Sequence, residues 1–553
     1  MSLYQKHKEL LDRAILAIHE RSFYTPFPEH HKAYGKTTDR EGLESYTNQL
    51  GKPFDRLHQE ATENWYGEEV SPYTEEQLGI TYPIYSTEEL LKNAQEALPS
   101  WKQKTIEERA GILIEAIIRL EKDYFETAFA NMHTTGQSYG MSFQAAGPHS
   151  ADRALEAVAM AVHELKRFPE SVLWEKPLGS SSVKLTKQFK AIPKGLSLVI
   201  GCSTFPTWNS FPGIFASLLC GTAVIAKPHP KAVYPLALAI ATLQTVLEEE
   251  GCNPSTIQLA IDRAEQPIAK ELAMEPSVGI IDYTGSSSFG SFLETLPGKA
   301  VFTEKSGINP VIIDGAYDLR EMMRNLAFSV SLYSGQMCTA PHVFFIPETG
   351  VETAQGEIIG YEEAVDLFQN EVAALALHPK MGAGTLGTIQ NKATTERIDT
   401  EIKKADKIRL QSPNAKHPQF PNARLKAPTI IEIDAQNSEE YQKDIFGPFV
   451  RVVKTASTAD SILRAKQLVE RMGALSCGLY SMKEETIQEA ITEMNAVFAP
   501  VTVNLKGFIW LNQNAAFSDF HGTGGTAAGN ASFADPSFVN RRFVWVGNRR
   551  LNS

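Results

Sequence analysis

Short runs of hydrophobic residues, each followed by a turn and a helical pattern, recur along the middle of the chain. They lie at 196–200, 223–226 and 279–283, and similar runs follow at 310–313 and 343–346. Strand, turn and helix at this rhythm are typical of βαβ units around a largely parallel sheet. The pattern therefore predicts an α/β fold.

Other patterns flank this region. Hydrophobic and polar residues alternate over 182–192, as in a half-exposed strand, and a last apolar strand is predicted at 543–546. A helix is predicted to begin at Thr105, because Thr105-x-x-Glu108 has the form of a capping box and apolar residues follow at steps of three and four. The first ninety residues are irregular after an opening helix, which predicts an extension wrapped on the main body.

Composition narrows the class of protein. The chain has 553 residues, 43% of them hydrophobic and 21% charged, which predicts a folded protein of two or three domains. The net charge of −12 does not indicate the positively charged surface that binds nucleic acid or an anionic membrane. No apolar stretch has a membrane-spanning length, the N-terminus has no signal-peptide core, and the five cysteines are isolated. We therefore expect a cytoplasmic protein without a metal site or a disulfide framework.

Four segments carry candidate chemistry. Asn209 lies in a proline-rich segment, predicted as a loop, after the strand at 196–200, and Lys227 ends the strand at 223–226. A small-residue turn at 284–290 leads into a helix, so its free N–H groups could bind phosphate. Glu304 follows another strand, and Cys338 lies 34 residues later in a small-residue loop. Each alone has an ordinary structural interpretation, but together they offer a nucleophile, a base and an amide that could donate to an oxyanion.

In this order the segments closely resemble the aldehyde dehydrogenase superfamily. The shared motifs are W-N at 208, K-P at 227, T-G-S at 284, E-x-x-G-x-x-P at 304, G-Q-x-C at 335 and I-F-G-P at 445, and the resemblance covers roughly 90–548. Within the superfamily the chain is most similar to the phenylacetic acid degradation protein PaaN type, because of its long N-terminal extension and its segment at 504–530. The resemblance implies a Rossmann-type cofactor domain, an α/β catalytic domain and a small β oligomerisation element.

The resemblance also implies a division of the chain. Residues 1–90 would form the extension and 91–303 the cofactor-binding domain, with an oligomerisation strand near 182–192. Residues 304–500 would form the catalytic domain, and 501–553 would return to the cofactor domain and end in a second oligomerisation strand. In the resembled family these two strands pair across subunits, which implies a homodimer or homotetramer.

The implied activity is NAD(P)-dependent oxidation of an aldehyde to a carboxylic acid through a cysteine thioester. Cys338 would be the nucleophile, Asn209 and the Cys338 N–H the oxyanion donors, and Glu304 the base that activates water. The substrate implied by the PaaN type is a ring-opened, CoA-linked semialdehyde of aerobic phenylacetate degradation. The residues expected to bind the cofactor are Trp208, Lys227, Pro230, Gly285, Ser286, Gly290, Asp444 and Phe446.

Position 230 bears on the choice of cofactor. Many NAD-preferring members have a Glu three residues after the strand-end Lys, where it would repel a 2′-phosphate. Here that position is Pro230, and Lys227, Lys231 or a protonated His229 could attract the phosphate. The sequence thus predicts that NADP is accepted at least as well as NAD. The open alternative is that Pro230 only ends a turn and another carboxylate serves NAD.

The chain departs from the family pattern at three places. Asp444 stands where Glu is usual, Lys305 follows Glu304 where an apolar residue is common and could pair with it, and the glycine motif is rewritten around 517–529. Two other functions stay open: a CoA-acylating dehydrogenase, which generally lacks the Glu, and an inert binding protein, which would have lost one of the three catalytic residues. An appended hydratase domain is not expected, because the resemblance runs almost to the end of the chain.

Overall fold

A computed structural model describes residues 1–35, 38–59, 62–512 and 514–552. The helices are α1 (Leu3–Glu20), α2 (Thr38–Gln49), α3 (Thr87–Lys102), α4 (Ile106–Arg119), α5 (Tyr124–Thr135), α6 (Tyr139–Ala146), α7 (Pro148–Leu165), α8 (Pro206–Leu219), α9 (Tyr234–Glu249), α10 (Ala269–Met274), α11 (Ser287–Glu294), α12 (Leu319–Ser331), α13 (Tyr361–Ala376), α14 (Gly382–Leu386), α15 (Lys392–Lys404), α16 (Ser438–Tyr441), α17 (Thr458–Met472), α18 (Glu484–Asn495) and α19 (Pro536–Asn540).

The strands are β1 (Trp65–Tyr66), β2 (Tyr82–Pro83), β3 (Ser171–Leu178), β4 (Ser181–Pro193), β5 (Leu196–Ile200), β6 (Val224–Lys227), β7 (Ile257–Leu259), β8 (Val278–Gly285), β9 (Ala300–Lys305), β10 (Asn309–Ile313), β11 (Gly315–Ala316), β12 (Pro341–Pro347), β13 (Val351–Thr353), β14 (Ile358–Ile359), β15 (Lys407–Leu410), β16 (Thr429–Asp434), β17 (Phe449–Thr455), β18 (Cys477–Tyr480), β19 (Val501–Val503) and β20 (Phe543–Leu551).

A five-stranded parallel sheet contains the three apolar runs predicted at 196–200, 223–226 and 279–283, as β5, β6 and β8, together with β7 and β9. Its order is β7-β6-β5-β8-β9. The chain adds β6 and β7 on one side of β5 and then crosses back to add β8 and β9 on the other side, so the topological switch point lies between β5 and β8. α8 and α9 run between consecutive strands, as expected for βαβ units. A crevice opens at such a switch point beyond the carboxyl ends of the strands, where α/β sheets bind ligands.

A second sheet carries the other half of the predicted chemistry. It has seven strands in the order β15-β16-β17-β12-β10-β18-β19, all parallel except the antiparallel edge strand β15. The loop with Cys338 leads into β12, and the loop with Asp444 leads into β17. The two parallel sheets confirm the predicted fold class. The predicted boundary at 303/304 falls inside β9, so the chain leaves the first sheet only after Lys305.

A third sheet projects from the body. β3, β4 and β20 are antiparallel in the order β20-β4-β3. The strands near 182–192 and 543–546, expected to pair across subunits, therefore pair with each other within one chain. Side chains on this sheet are largely exposed, including Leu173 at 61% and Val544 at 52%.

The N-terminal extension is more ordered than its sequence predicts. α1 packs on α4 and α7, α2 packs on α5, and Leu11, Phe27 and Phe54 are buried in the same core as those helices. The predicted capping box at Thr105 is confirmed at the start of α4. Across the described residues, no helix combines the length and the apolar character that crossing a membrane requires.

Candidate active site

The loop that carries Cys338 begins with an unusual backbone. Tyr333, Ser334 and Gly335 all have φ between 50° and 63°, although the first two have side chains. Such left-handed residues cost free energy and persist where the surroundings hold them. Ser334 Oγ lies 3.0 and 2.8 Å from the carbonyl oxygens of Leu386 and Lys426, and its one O–H donates between them, which holds the turn in place.

Two asparagines hold the other side of this loop. Asn309 Nδ2 donates to the Cys338 and Ala340 carbonyls, each at 2.9 Å. Asn512 Nδ2 donates to the Thr339 carbonyl. The half-buried Cys338 is therefore fixed by its backbone, which leaves its thiol free to face the crevice.

Glu304 lies beside this thiol, near the end of β9. It is 7% exposed, and its carboxylate lies within 4.8 Å of the Cys338 Sγ. Asn209 Nδ2 donates to Glu304 Oε2 at 3.3 Å. The structure therefore brings the three predicted catalytic residues together.

Asn209 is not in a loop, as its proline-rich surroundings predicted, but in the first turn of α8. Pro206 is at the first helical position, where a missing N–H costs little, so this proline starts the helix. Asn209 Oδ1 accepts a long hydrogen bond of 3.6 Å from the Cys202 thiol. The side chain is thereby oriented with its amide N–H groups toward the crevice side that holds Glu304.

His521 is a fourth member of the cluster, and the sequence analysis gave it no role. Its Nε2 lies 2.9 Å from Glu304 Oε2, and its Nδ1 lies 2.7 Å from Asn514 Oδ1. The ring is 4% exposed and meets the Trp208 ring edge-on, with centroids 4.7 Å apart. The one sequence signal for His521 was its position inside the rewritten segment at 517–529. That signal could not identify its partner, because Glu304 is 217 residues away in sequence.

The cluster shifts the ionisation of its members in opposite directions. Burial raises the pKa of Glu304, but the charge and hydrogen bond of His521, with hydrogen bonds from Cys338 and Asn209, outweigh burial and lower that pKa below its ordinary value. Burial and the neighbouring Glu304 raise the pKa of Cys338 well above its ordinary value. The free site therefore favours a carboxylate beside a protonated thiol.

Glu304, Cys338 and His521 also have the chemistry of a metal-ligand set. One donor atom from each lies within 4.8 Å of the other two. Thiolate, imidazole and carboxylate together are ligands that zinc accepts. The sequence predicted no metal site, and this cluster is the one group of that kind found among the described residues.

Lys305 does not pair with Glu304, as the sequence suggested. Its Nζ lies 2.9 Å from Glu294 instead, because adjacent residues of a strand point to opposite faces. Gly290, expected to face the pyrophosphate, packs against the same side chain: a Cβ there would lie 2.6 Å from Lys305 Cδ. That glycine is therefore required for packing of α11 on β9.

Hydrogen bonds join the loop of Asp444 to the predicted phosphate turn. Asp444 is half-buried and accepts a hydrogen bond from Ser306 Oγ, which lies 3.2 Å from Ser287 Oγ at the start of α11. Gly285 ends β8, and Ser286 precedes α11 as its N-cap residue. The shorter Asp at 444 is thus linked through two serines to the predicted phosphate turn. Phe446 is half-buried in the same loop as Asp444.

The predicted ribose side has a feature that the sequence did not show. Lys227 ends β6, is 5% exposed, and its Nζ lies 2.7 Å from Asp262 Oδ1. Pro230 is half-buried. Burial and the charges of Lys227 and Lys231 lower the pKa of His229 to about 4, so this ring is neutral at pH 7. Lys231 Nζ donates to Asn391 Oδ1 at 3.2 Å.

A cavity of about 500 Å³ extends from Cys338 toward the N-terminal extension. Aromatic and methionine side chains supply much of its wall, and these are Phe23, Tyr24, Met141, Phe205, Trp208, Phe328, Met337, Phe508 and Trp510. The N-terminal extension therefore lines the cavity directly, a role that its sequence did not predict.

The far end of the cavity is polar. His149 Nε2 lies 3.1 Å from Glu29 Oε1, and Asp152 Oδ2 accepts a hydrogen bond of 2.7 Å from Thr25. Burial raises the pKa of Asp152 to about 8, so this carboxyl is largely protonated at pH 7. The neighbouring Arg153 lies 2.7 Å from Glu156, so its charge is already paired.

Comparisons with known proteins agree with this geometry. The model of the aldehyde dehydrogenase family matches residues 60–535. N-succinylglutamate 5-semialdehyde dehydrogenase of Pseudomonas fluorescens (strain Pf0-1) is 25% identical over 438 residues, which are 77% of this chain and 83% of the relative.

Solved structures of aldehyde dehydrogenases share the fold of this chain. The crystal structure of an NAD-dependent aldehyde dehydrogenase from Burkholderia multivorans is 38% identical, with a TM-score of 0.97 over 100% of this chain and 99% of the other. Glyceraldehyde-3-phosphate dehydrogenase GapN from Methanocaldococcus jannaschii, complexed with NADP, is 17% identical, with a TM-score of 0.70 over 89% of this chain and 100% of the other. At that identity the second likeness shows the fold alone.

Proposed function

This chain belongs to the aldehyde dehydrogenase family and is an NAD(P)-dependent oxidoreductase acting on aldehydes, and from that premise we propose that it forms a carboxylic acid through a thioester on Cys338. The observation that carries the proposal is the buried cluster of Cys338, Glu304 and Asn209. The cluster combines a nucleophile, a base and an amide donor within one crevice.

In the proposed reaction, the sulfur of Cys338 bonds to the aldehyde carbon once its thiol proton has left. Because the pKa of this thiol is raised, Cys338 is protonated at rest, and it attacks as the thiolate after its proton has left to solvent. The aldehyde oxygen becomes an oxyanion that the Asn209 amide and the Cys338 N–H stabilise, each by about 3 kcal/mol. The Asn209 amide has two N–H groups, so one can donate to the oxyanion while the other donates to Glu304.

The nicotinamide cofactor, when bound, accepts the hydride that leaves the former aldehyde carbon and so supplies the oxidation. The structure fits such a cofactor at the crevice, where the Asp444–Ser306–Ser287 link and the N-terminus of α11 lie near each other. We propose that Asp444 and Phe446 hold its nicotinamide half, Gly285 and Ser286 its pyrophosphate, and Lys227 and Pro230 its adenosine half. Trp208 and Gly290 would shape the site without carrying charge.

Glu304 completes the reaction by removing a proton from the water that attacks the thioester. The C–S bond then breaks, the acid leaves, and Cys338 regains its proton. The lowered pKa of Glu304 keeps the carboxylate ionised at neutral pH, as a general base requires. A CoA-acylating reaction, the main alternative, needs no such base.

We propose that both nicotinamide cofactors are used, with NADP accepted at least as well as NAD. Pro230 removes the usual repulsive carboxylate, and the charge of Asp262 is balanced by Lys227 at 2.7 Å. His229 adds no positive charge, because it is neutral at pH 7. One similar protein is named NAD-dependent and another was crystallised with NADP, so the family admits either.

The size and lining of the cavity favour a substrate with a bulky and largely uncharged acyl group. Its volume of about 500 Å³ suits a ring-sized ligand but is too small for CoA as well. Its only arginine, among the described lining residues, is already paired with Glu156, which disfavours a free carboxylate. We therefore propose the ring-opened, CoA-linked semialdehyde of aerobic phenylacetate degradation that the PaaN resemblance implies, with CoA outside the cavity.

The substrate proposal is tested by comparing kcat/KM for three aldehydes: phenylacetaldehyde, a CoA-linked semialdehyde and succinate semialdehyde. We expect succinate semialdehyde to be at least tenfold poorer, about 1.4 kcal/mol, than the better of the other two. Equal or better use of succinate semialdehyde, which carries a free carboxylate, would contradict the proposal. Product analysis with and without added CoA separates the remaining functions: free acid supports hydrolysis, acyl-CoA supports the acylating alternative, and no turnover with any aldehyde supports an inert protein.

We also propose that the protein is a cytoplasmic homodimer or homotetramer. The β3–β4–β20 sheet exposes apolar side chains, among them Leu173, Leu178 and Val544, and β3 leaves one edge unpaired. A second subunit would cover both. Light scattering that finds only a monomer of 61.1 kDa at micromolar concentration would contradict this proposal.

A further inference from the structure

His521 lies between two oxygen atoms, and this arrangement restricts where its protons can be. Its Nδ1 lies 2.7 Å from Asn514 Oδ1, and the Asn514 Nδ2 donates to the Asn512 carbonyl at 3.2 Å. That second bond fixes the amide with its oxygen toward the ring. Because an amide oxygen only accepts, His521 Nδ1 carries a proton.

The other ring nitrogen then shares a proton with Glu304. A neutral ring protonated at Nδ1 has a lone pair on Nε2, and this would face the lone pairs of Glu304 Oε2 at 2.9 Å. A proton between the two atoms removes this repulsion, so the pair is either imidazolium and carboxylate or imidazole and carboxylic acid.

The two oxygens of Glu304 therefore have different surroundings. Oε2 is contacted by His521 Nε2 and by Asn209 Nδ2 at 3.3 Å. Oε1 is buried and has no hydrogen-bond partner among the described residues. A buried carboxylate oxygen without a partner is costly unless a ligand or water uses it.

We propose that His521 is a positioning residue that holds one proton against Glu304 Oε2, so that Glu304 removes the proton of the attacking water with Oε1. This inference rests on the proposed hydrolytic function and deepens it. The shared proton fixes which carboxylate oxygen faces the thioester. No atom of His521 bonds to the substrate.

Few other ionisable groups lie against the His521 ring. The Cys338 thiol lies within 4.8 Å, and Cys202 contacts the Asn209 amide. Trp208 and Phe533 cover the ring, with centroids at 4.7 and 5.2 Å, and Arg153 lies over both of these aromatic rings while paired with Glu156. Neither cysteine is charged in the resting site, so the His521–Glu304 pair dominates its local electrostatics.

The test compares His521→Gln with His521→Ala in the full-length enzyme. Gln keeps an N–H donor near Glu304, whereas Ala removes the donor. Two quantities are measured between pH 5.5 and 9: the first-turnover burst of reduced cofactor, which reports acylation, and the steady-state rate of acid formation, which includes hydrolysis. EDTA is present throughout, so that zinc on the Glu304, Cys338 and His521 cluster cannot mimic an effect.

Losing the shared proton should slow hydrolysis, because Glu304 is then held less firmly with Oε1 toward the thioester. We expect the hydrolysis rate to fall about threefold in His521→Gln, whose N–H can still donate to Oε2, and about tenfold further in His521→Ala, because the carboxylate is then misplaced. The burst should be less affected than hydrolysis in both variants.

Asn514→Ala serves as a second variant if the His521 variants do not fold. It should slow hydrolysis by a smaller factor than His521→Ala, because Nδ1 loses its fixed acceptor. Hydrolysis profiles of folded His521 or Asn514 variants that coincide with the wild type would overturn the inference. Failure of the proposed function itself looks different: the wild type would then show no free acid, or Cys338→Ala would retain turnover.

Discussion

Lys227 Nζ lies 2.7 Å from Asp262 Oδ1; Lys227 ends β6, and Asp262 lies in the segment that follows the neighbouring strand β7. Both side chains are buried, so the ion pair sits at the edge where the cofactor is expected to bind. Position 230 has no carboxylate, but Asp262, which follows β7, supplies one beside Lys227. Its charge is balanced by the same lysine that we expect at the ribose.

Substitution Asp262→Asn should shift the cofactor preference toward NADP. Removing the carboxylate frees the positive charge of Lys227 for a 2′-phosphate, so we expect the ratio of kcat/KM for NADP over NAD to rise about tenfold. The matched variant Pro230→Glu restores a negative charge at the usual position and should lower the ratio. Unchanged ratios in both variants would place the adenosine ribose elsewhere. A wild-type preference for NAD beyond tenfold would contradict the NADP proposal.

Substitution Cys338→Ala should abolish dehydrogenase activity while the protein stays folded and still binds cofactor. The reaction needs one covalent centre, and Asn309 and Asn512 hold this loop by its carbonyls rather than by its thiol. Activity, circular dichroism and cofactor-fluorescence titration check the three parts. The control is Cys252→Ala, a buried cysteine outside the cavity, which should keep its turnover. Near-wild-type turnover in Cys338→Ala would be incompatible with the mechanism.

The buried pair of Arg542 and Asp282 should be important for stability. Arg542 makes two hydrogen bonds of 2.7 and 2.6 Å to Asp282, which tie the C-terminal segment to β8. Asp282→Ala leaves an unpaired guanidinium that is fully buried, so we expect a loss of about 3–5 kcal/mol in the free energy of unfolding. Denaturant unfolding measures it. Breaking the partly exposed pair of Lys466 and Glu493 should leave the midpoint nearly unchanged.

Asp152 should make the stability of the protein depend on pH. Burial raises its folded pKa from 3.8 to about 8, so between these values the folded state binds more protons than the unfolded state. The favourable contribution of this carboxyl to the free energy of unfolding is complete below about pH 4 and is lost as pH rises through about 8. The isosteric Asp152→Asn should therefore gain Tm relative to the wild type at pH 8 but not at pH 4. An equal Tm difference at both pH values would contradict the assignment.

Much of the fold could be predicted from the sequence because its signals are local. The run at 196–200 is β5, and Thr105 caps α4 with its own Glu108, so neighbouring residues were sufficient. The cluster of Cys338, Glu304 and Asn209 was predicted from motifs whose order resembles that of a family. Their approach to one another follows from strand ends that meet at a crevice.

The contacts that were missed join residues distant in the chain. His521 meets Glu304 across 217 positions, and no local pattern marks a histidine in a loop as the partner of a particular carboxylate. Asp262 meets Lys227 because β7 lies beside β6. The pairing of Lys305 with Glu304 was wrong because adjacent strand residues face opposite sides.

The covalent thioester is the centre of this account, and rapid acid quench followed by mass spectrometry tests it most directly. Wild-type enzyme and Glu304→Gln are mixed with excess aldehyde and NAD(P), quenched at successive times, and digested. We predict that the Cys338 peptide gains the mass of the aldehyde minus two hydrogen atoms, transiently in the wild type and persistently in Glu304→Gln, because the variant lacks the base for hydrolysis. Wild-type turnover with the Cys338 peptide unmodified at every time in both proteins would contradict the account.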